Sequence, residues 1–289
     1  MGAVMYALYG LNVDGDPSRV WGESWTFGTD PAGPLTLGSE PEIGGAEFQL
    51  NWLSTIEQDG ATFNGRSDLQ NRFSLDVICK RHSFRGDDAV RLYLEWRESL
   101  GRGKEQLPFV TMTDRGTRVI LVRLAKANPM ISLEQVKRAG GFREKVELVC
   151  DTSYWIGSGQ SFYQTQTLEP TVIDNRGDRE SFLTGEIAGP VTNFSIGVPG
   201  DVVTFTGTTI PSGEVWEFNT DPADRYVRNR DTGANKLPII SVNAGHPIFW
   251  RKGVPGKAID HPLVIGGTGT NISTWLQATL PETHWLGVA

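Results

Sequence analysis

The residues of this 289-residue chain whose types could do chemistry are few and scattered. Asp231-Thr232-Gly233-Ala234 has the local form of an aspartic-protease motif, but that chemistry needs two aspartates sharing one proton. The motif occurs once, and Arg228-Asn229-Arg230 precedes it instead of an apolar strand, so it reads as a hairpin turn. His246, His261 and His284 show no H-x-x-x-H spacing, which leaves no metal signature. Cys79 and Cys150 each end an apolar, strand-like run and read as buried thiols, and two cysteines do not build a structural zinc site. Gly157-Ser158-Gly159 is the nearest approach to a nucleophile elbow, but no helix follows it. Gly266-Gly267-Thr268-Gly269 lacks the lysine and helix of a phosphate loop and reads as a loop tip. No carboxylate pair stands out for glycoside hydrolysis. The sequence therefore predicts a protein that is not an enzyme, with no catalytic residues, no cofactor and no metal.

Two further features bear on binding. Trp216, Trp250, Trp275 and Trp285 could stack on sugars or fill the space between two sheets, and spacing alone leaves both readings open. The chain carries 34 acidic and 27 basic residues, a net charge of −7, against a main role in gripping phosphate backbone. No apolar run reaches the ~20 residues that span a bilayer. The sequence begins without the charged and apolar regions of a signal peptide, so synthesis in the cytoplasm without membrane insertion is expected.

The elements that would carry these residues are mostly strands. The 34 glycines and 16 prolines suit many short strands joined by turns. Residues 4–13 alternate weakly up to the turn Asp14-Gly15-Asp16-Pro17, and Trp21, Trp25 and Phe27 share one face of the next strand. Phe48 to Trp52, Arg72 to Val77, Pro108 to Met112, Thr117 to Leu124 and Phe142 to Cys150 read as further strands. One amphipathic helix is predicted from Asp87 or Asp88 to about Leu100, with Val90, Tyr93, Leu94 and Leu100 on its buried face. Ile131 to Arg138 suits a short helix or an extended loop. After residue 157 charged residues thin out, and strands are expected at Val191 to Ile196, Val202 to Thr206, Glu214 to Asn219, Arg225 to Arg230, Ile239 to Val242, Pro247 to Trp250 and Ile272 to Leu280. Short strands at this spacing are the mark of a β-sandwich. The predicted fold is mainly β with two β-sandwich domains: 1–157 with one helix, and 158–289.

The order of motifs resembles the distal tail proteins of long-tailed, siphovirus-type bacteriophages. The resemblance rests on the strands around the helix at Asp87 to Leu100 and on Val146-Glu147-Leu148-Val149-Cys150-Asp151-Thr152-Ser153-Tyr154-Trp155, where Thr152 stands in place of the proline frequent in that family. In the second half it rests on Gly189 to Ile196, Ile210 to Glu214, Phe218 to Arg225 and Phe249 to Gly256. It implies a tail-tube-like N-terminal domain, a galectin-like C-terminal domain and a virion structural protein at the tail tip. It further implies a hexameric ring that joins the tail tube to the tip. The implied partners are copies of itself, the tail tube protein, tail hub or tip proteins and the tape measure protein. The rival from another class is a carbohydrate-binding module of a tail-tip protein. The apolar loops at 29–45 (Pro31, Pro34, Leu35, Leu37, Ile43) and 128–141 (Pro129, Met130, Ile131) are expected at the inter-subunit seam.

Overall fold

The computed structural model describes residues 4–11, 22, 24–27, 33–54, 61–79, 86–237, 247–250 and 260–287. The expected turn at 14–17, Trp21, Pro31, the strand at 239–242, His246 and the motif residues 251–256 lie outside them. The chain divides into two compact units: unit 1 is Met1–Trp155 with Trp285–Ala289, and unit 2 is Ile156–His284. The second unit thus differs from the expected 158–289, because the last five residues belong to unit 1.

Unit 1 contains β1 (Met5–Tyr9), β2 (Ser24–Phe27), β3 (Leu35–Leu37), β4 (Phe48–Leu53), β5 (Thr62–Asp68), β6 (Arg72–Cys79), α1 (Asp87–Ser99), β7 (Leu107–Thr113), β8 (Gly116–Leu124), α2 (Leu133–Ala139) and β9 (Arg143–Cys150). Its strands pair antiparallel in the order β2-β1-β7-β8-β9-β6-β3, and β4 and β5 form a separate two-stranded sheet. Alternation explains the inward faces: Phe73, Leu75, Val77 and Cys79 on β6, and Val146, Leu148 and Cys150 on β9.

Helix α1 lies on this core through Ala89, Leu92, Tyr93 and Trp96, at the three- and four-residue spacing of one helical face. Leu94, expected on that face, is only half-buried, because the stripe centres on Tyr93 and Trp96, about one residue's rotation away. Trp96 meets Trp25 and Phe27 edge-on at 5.7 and 6.1 Å. Trp25 Nε1 donates to Ser99 Oγ at 2.8 Å, so the last turn of the helix is tied to β2. The segment left open between helix and loop forms α2. Tyr93 Oη accepts a bond from the Ile131 amide at 2.9 Å and fixes the approach to it.

Unit 2 contains β10 (Trp155–Thr165, starting from the last residue before the division), β11 (Thr171–Asp174), β12 (Thr184–Ala188), β13 (Val191–Val198), β14 (Asp201–Thr204), β15 (Thr209–Ile210), β16 (Val215–Asn219), β17 (Tyr226–Asn229), β18 (Asp260–Thr268) and β19 (Trp275–His284). One sheet runs β17-β16-β12-β19-β10, and the other β11-β18-β13-β14 with β15 on β13. Ile187, Phe194, Ile196, Phe205, Trp216, Phe218, Leu263 and Leu276 fill the space between them, the arrangement of a β-sandwich. Gly157 and Gly159, at the expected boundary between the two domains, lie inside β10. A Cβ at Gly157 would press on His284, and one at Gly159 on the Leu280 carbonyl, so these glycines serve close strand packing.

Candidate assembly surface

Among the described residues, those singled out for chemistry do not converge. Asp231 lies in a tight turn capped by Asn229, whose Oδ1 accepts from the amides of Asp231 and Thr232 at 3.0 and 2.9 Å, and Gly233 takes φ 68°. Its carboxylate is exposed and pairs with Arg230 at 3.4 Å. His261 packs edge-on against Phe249 at 5.3 Å, with Nε2 3.2 Å from the Trp250 carbonyl. His284 is buried between Glu282 at 3.6 Å and Asp178 at 3.9 Å. Among the described residues no group of three His, Cys, Asp or Glu side chains is placed to hold a metal. Gly266, Gly267 and Thr268, expected at a loop tip, form the end of β18, and only Gly269 (φ 73°) turns. Cys79 and Cys150 are both buried thiols, and burial pushes Cys150 up to about 12.

The tryptophans separate by role. Trp216 is core, Trp285 belongs to unit 1, and Trp275 stacks on the exposed Tyr163 at 6.1 Å. The described residues of the expected seam loops divide between packing and exposure. Leu35 and Ile43 are buried in the core of unit 1, and Leu37 and Ile131 pack against it. Packing within unit 1 accounts for these four apolar residues, while Pro129 and Met130 are exposed.

Five exposed large hydrophobics share one element, the β4–β5 hairpin. Phe48, Leu50, Trp52, Leu53 and Phe63 keep from 43% to 56% of their surface in contact with solvent. Neither strand contains a buried residue. The strands pair antiparallel from Phe48↔Asp68 to Leu53↔Thr62, with a bulge between Leu50 and Trp52. Gly65, at φ 106°, adopts a backbone that side-chain-bearing residues rarely take. Toward the far end Trp52 and Phe63 meet edge-on at 5.6 Å. At the near end Arg66 Nε donates to Asp68 at 2.7 Å, and the Tyr154 hydroxyl donates to the same carboxylate. The Leu69 amide closes the hairpin on the Glu47 carbonyl at 2.8 Å. Sequence reasoning found β4 from its alternation but missed β5, whose Thr-Phe-Asn-Gly-Arg-Ser-Asp composition carries one large apolar side chain. A monomer rarely spends so many large apolar residues on one exposed element, and patches of this kind mark interaction sites.

The geometry defines a mainly β protein of two units in which unit 1 carries an apolar two-stranded arm. No protein-family model and no curated protein matches the chain. Solved structures do. The chain is similar to the Dit protein of phage SPP1, described as a paradigm of the hub adsorption apparatus of phages infecting Gram-positive hosts. That likeness has a TM-score of 0.62 at 12% identity and covers 96% of this chain and 98% of that one. It is similar also to chains of the phage p2 baseplate in its activated conformation. With strontium the TM-score is 0.58 at 13% identity, covering 97% and 98%; with calcium it is 0.55 at 14% identity, covering 96% and 98%. The chain shares the fold of these phage proteins over 96% to 97% of its length.

Proposed function

We propose that the protein is a non-enzymatic structural component of a bacteriophage tail, a distal tail ring that joins the tail tube to the tail tip. The observation that carries this reading is fold similarity over nearly the full length of both chains, across both units together. A single sandwich is a common architecture that hosts many functions, whereas two units in one order constrain the comparison more. Unit 2 corresponds on this reading to the galectin-like domain. The expected partners are further copies of the chain in a hexamer, the tail tube protein, and hub or tip proteins, with the tape measure protein in the lumen. An acidic chain suits a ring through which DNA passes, because a basic wall would bind the phosphates.

The β4–β5 arm supports the ring in particular. A closed ring needs a heterologous interface, in which one surface of each copy meets a different surface of the next. An apolar hairpin without a buried residue of its own is suited to be one of those surfaces. The test is mass photometry of the full chain, with negative-stain imaging of the largest species. A six-fold ring is expected, and labelling of assembled tails with antibody against this chain should mark the tip. A strictly monomeric chain at high concentration, or label along the tube, would overturn the reading.

A further inference from the structure

With no buried residue in β4 or β5, the hairpin has little of its own to hold it, and an isolated two-stranded hairpin is at best marginally stable in water. Its direction has to be set where it joins the body of unit 1. There Phe48, near the start of β4, and Arg66, near the end of β5, meet Trp285 from the C-terminal tail. The Arg66 guanidinium lies 4.6 Å from the Phe48 ring centre and 4.5 Å from that of Trp285. The Phe48 and Trp285 rings are themselves 6.2 Å apart. Tyr154, which bonds Asp68 through its hydroxyl, meets the Trp285 indole edge-on at 5.7 Å. Gly45 completes the seat: a Cβ there would overlap the indole, so the contact needs glycine.

The tail is itself fixed to the body. Thr111 Oγ1 donates to the Gly287 carbonyl at 2.5 Å, and Arg118 Nη1 to the Leu286 carbonyl at 2.6 Å. The donors lie on β7 and β8, in the sheet of unit 1. The tail therefore connects that sheet to both strands of the arm through one indole. Trp285 is only partly buried, so core filling alone does not account for its position.

We propose that the segment Trp285 to Gly287 is a clasp that sets the direction of the β4–β5 arm, and that assembly through the arm depends on it. The second half rests on the assembly reading above; the first does not. The experiment is hydrogen exchange on the full chain, paired with mass photometry, for wild type, Trp285→Ala, Trp285→Phe and Gly45→Val. In Trp285→Ala the cross-strand amides of β4 and β5 should exchange about tenfold faster while β6 to β9 keep their protection. Trp285→Phe should restore part of the protection. Gly45→Val should reproduce the Trp285→Ala pattern with the tail sequence intact, because it displaces the indole from beneath. The ring population should fall in step with the loss of protection. Hairpin exchange at the wild-type rate in Trp285→Ala, or free-peptide exchange already in wild type, overturns the clasp. An unchanged ring population in a variant whose hairpin exchange has risen overturns its coupling to assembly. A wild-type chain that forms no ring defeats the assembly reading alone, and its hairpin exchange still decides the clasp.

Discussion

Glu144 is buried at the edge of the α1 contact, where it accepts a bond from Trp96 Nε1 at 3.1 Å and pairs with Arg97. Removing Glu144 leaves the Trp96 indole N–H unmet in the core and takes the carboxylate from Arg97, which keeps its bond to the Asn128 carbonyl, and losing one partner is costlier than never having had the pair. Glu144→Ala should lose roughly 3–5 kcal/mol in chemical denaturation, whereas truncating the exposed Glu98 should change little. Two other carboxylates carry a pH dependence. Hydrogen bonding to Arg143 holds Asp76 below its ordinary value of 3.8, and bonding to Arg123 and Gln106 does the same for Asp151. A carboxyl whose folded value is depressed stabilises the native state above its unfolded value and loses that contribution as pH falls through the folded one. Unit 1 should therefore weaken on acidification below about pH 4. Asp76→Asn should flatten the acid limb of a melting-temperature profile. Burial raises both thiols, Cys150 to about 12, so neither should react with iodoacetamide at neutral pH until the chain is denatured.

At the scale of elements, the hairpin buries little within its own unit. The rings of Trp52 and Phe63 touch each other but are otherwise solvent-facing, so little native stability depends on them. A Trp52→Ser, Phe63→Ser double variant should melt within about 2 °C of wild type, since exposed changes of this kind cost only a few tenths of a kcal/mol. On the assembly reading it should also populate the ring less at equal concentration. The legibility of the elements follows from their chemistry. Helix α1 is readable because its apolar stripe is long and flanked by Gly86 and Gly101; Tyr93 and Leu100 are buried and Val90 packs on the core as expected, and Leu94 alone is misplaced, because apolar residues occur on both sides of Tyr93. Strand β8 was readable in extent but not in phase. Val119, Ile120, Leu121 and Val122 are apolar at every position, and Ile120 and Val122 face the core. Strand β10 was hidden by Gly157-Ser158-Gly159, where glycine serves close packing and not a turn. The turn at Asp231 and the burial of both thiols could be argued residue by residue, but the exposed β4–β5 hairpin could not. Half of the arm is a polar strand, and its exposure is a property of three dimensions.

At the scale of the whole molecule, unit 1 is closed by residues more than a hundred positions away in sequence from the strands they bind. The Thr111 bond to the Gly287 carbonyl is buried, and Gly287 lies where a Cβ would strike Ile43 and Trp155. No local pattern could announce this, because the tail is a short Trp-Leu-Gly stretch with no period of its own. The consequence concerns how the chain can be divided. A cut between residues 155 and 156 separates the units by contact density but strips unit 1 of its last segment. In a 1–155 fragment Thr111 loses a buried acceptor, at about 1–3 kcal/mol, and the indole seat at Gly45 opens. Such a fragment should melt several degrees below unit 1 in the intact chain. Adding a synthetic peptide covering 284–289 should recover part of the difference in a concentration-dependent way, as expected for a segment that binds only the folded form. A fragment that matches the intact chain without the peptide would show that the tail rests on unit 1 without supporting it.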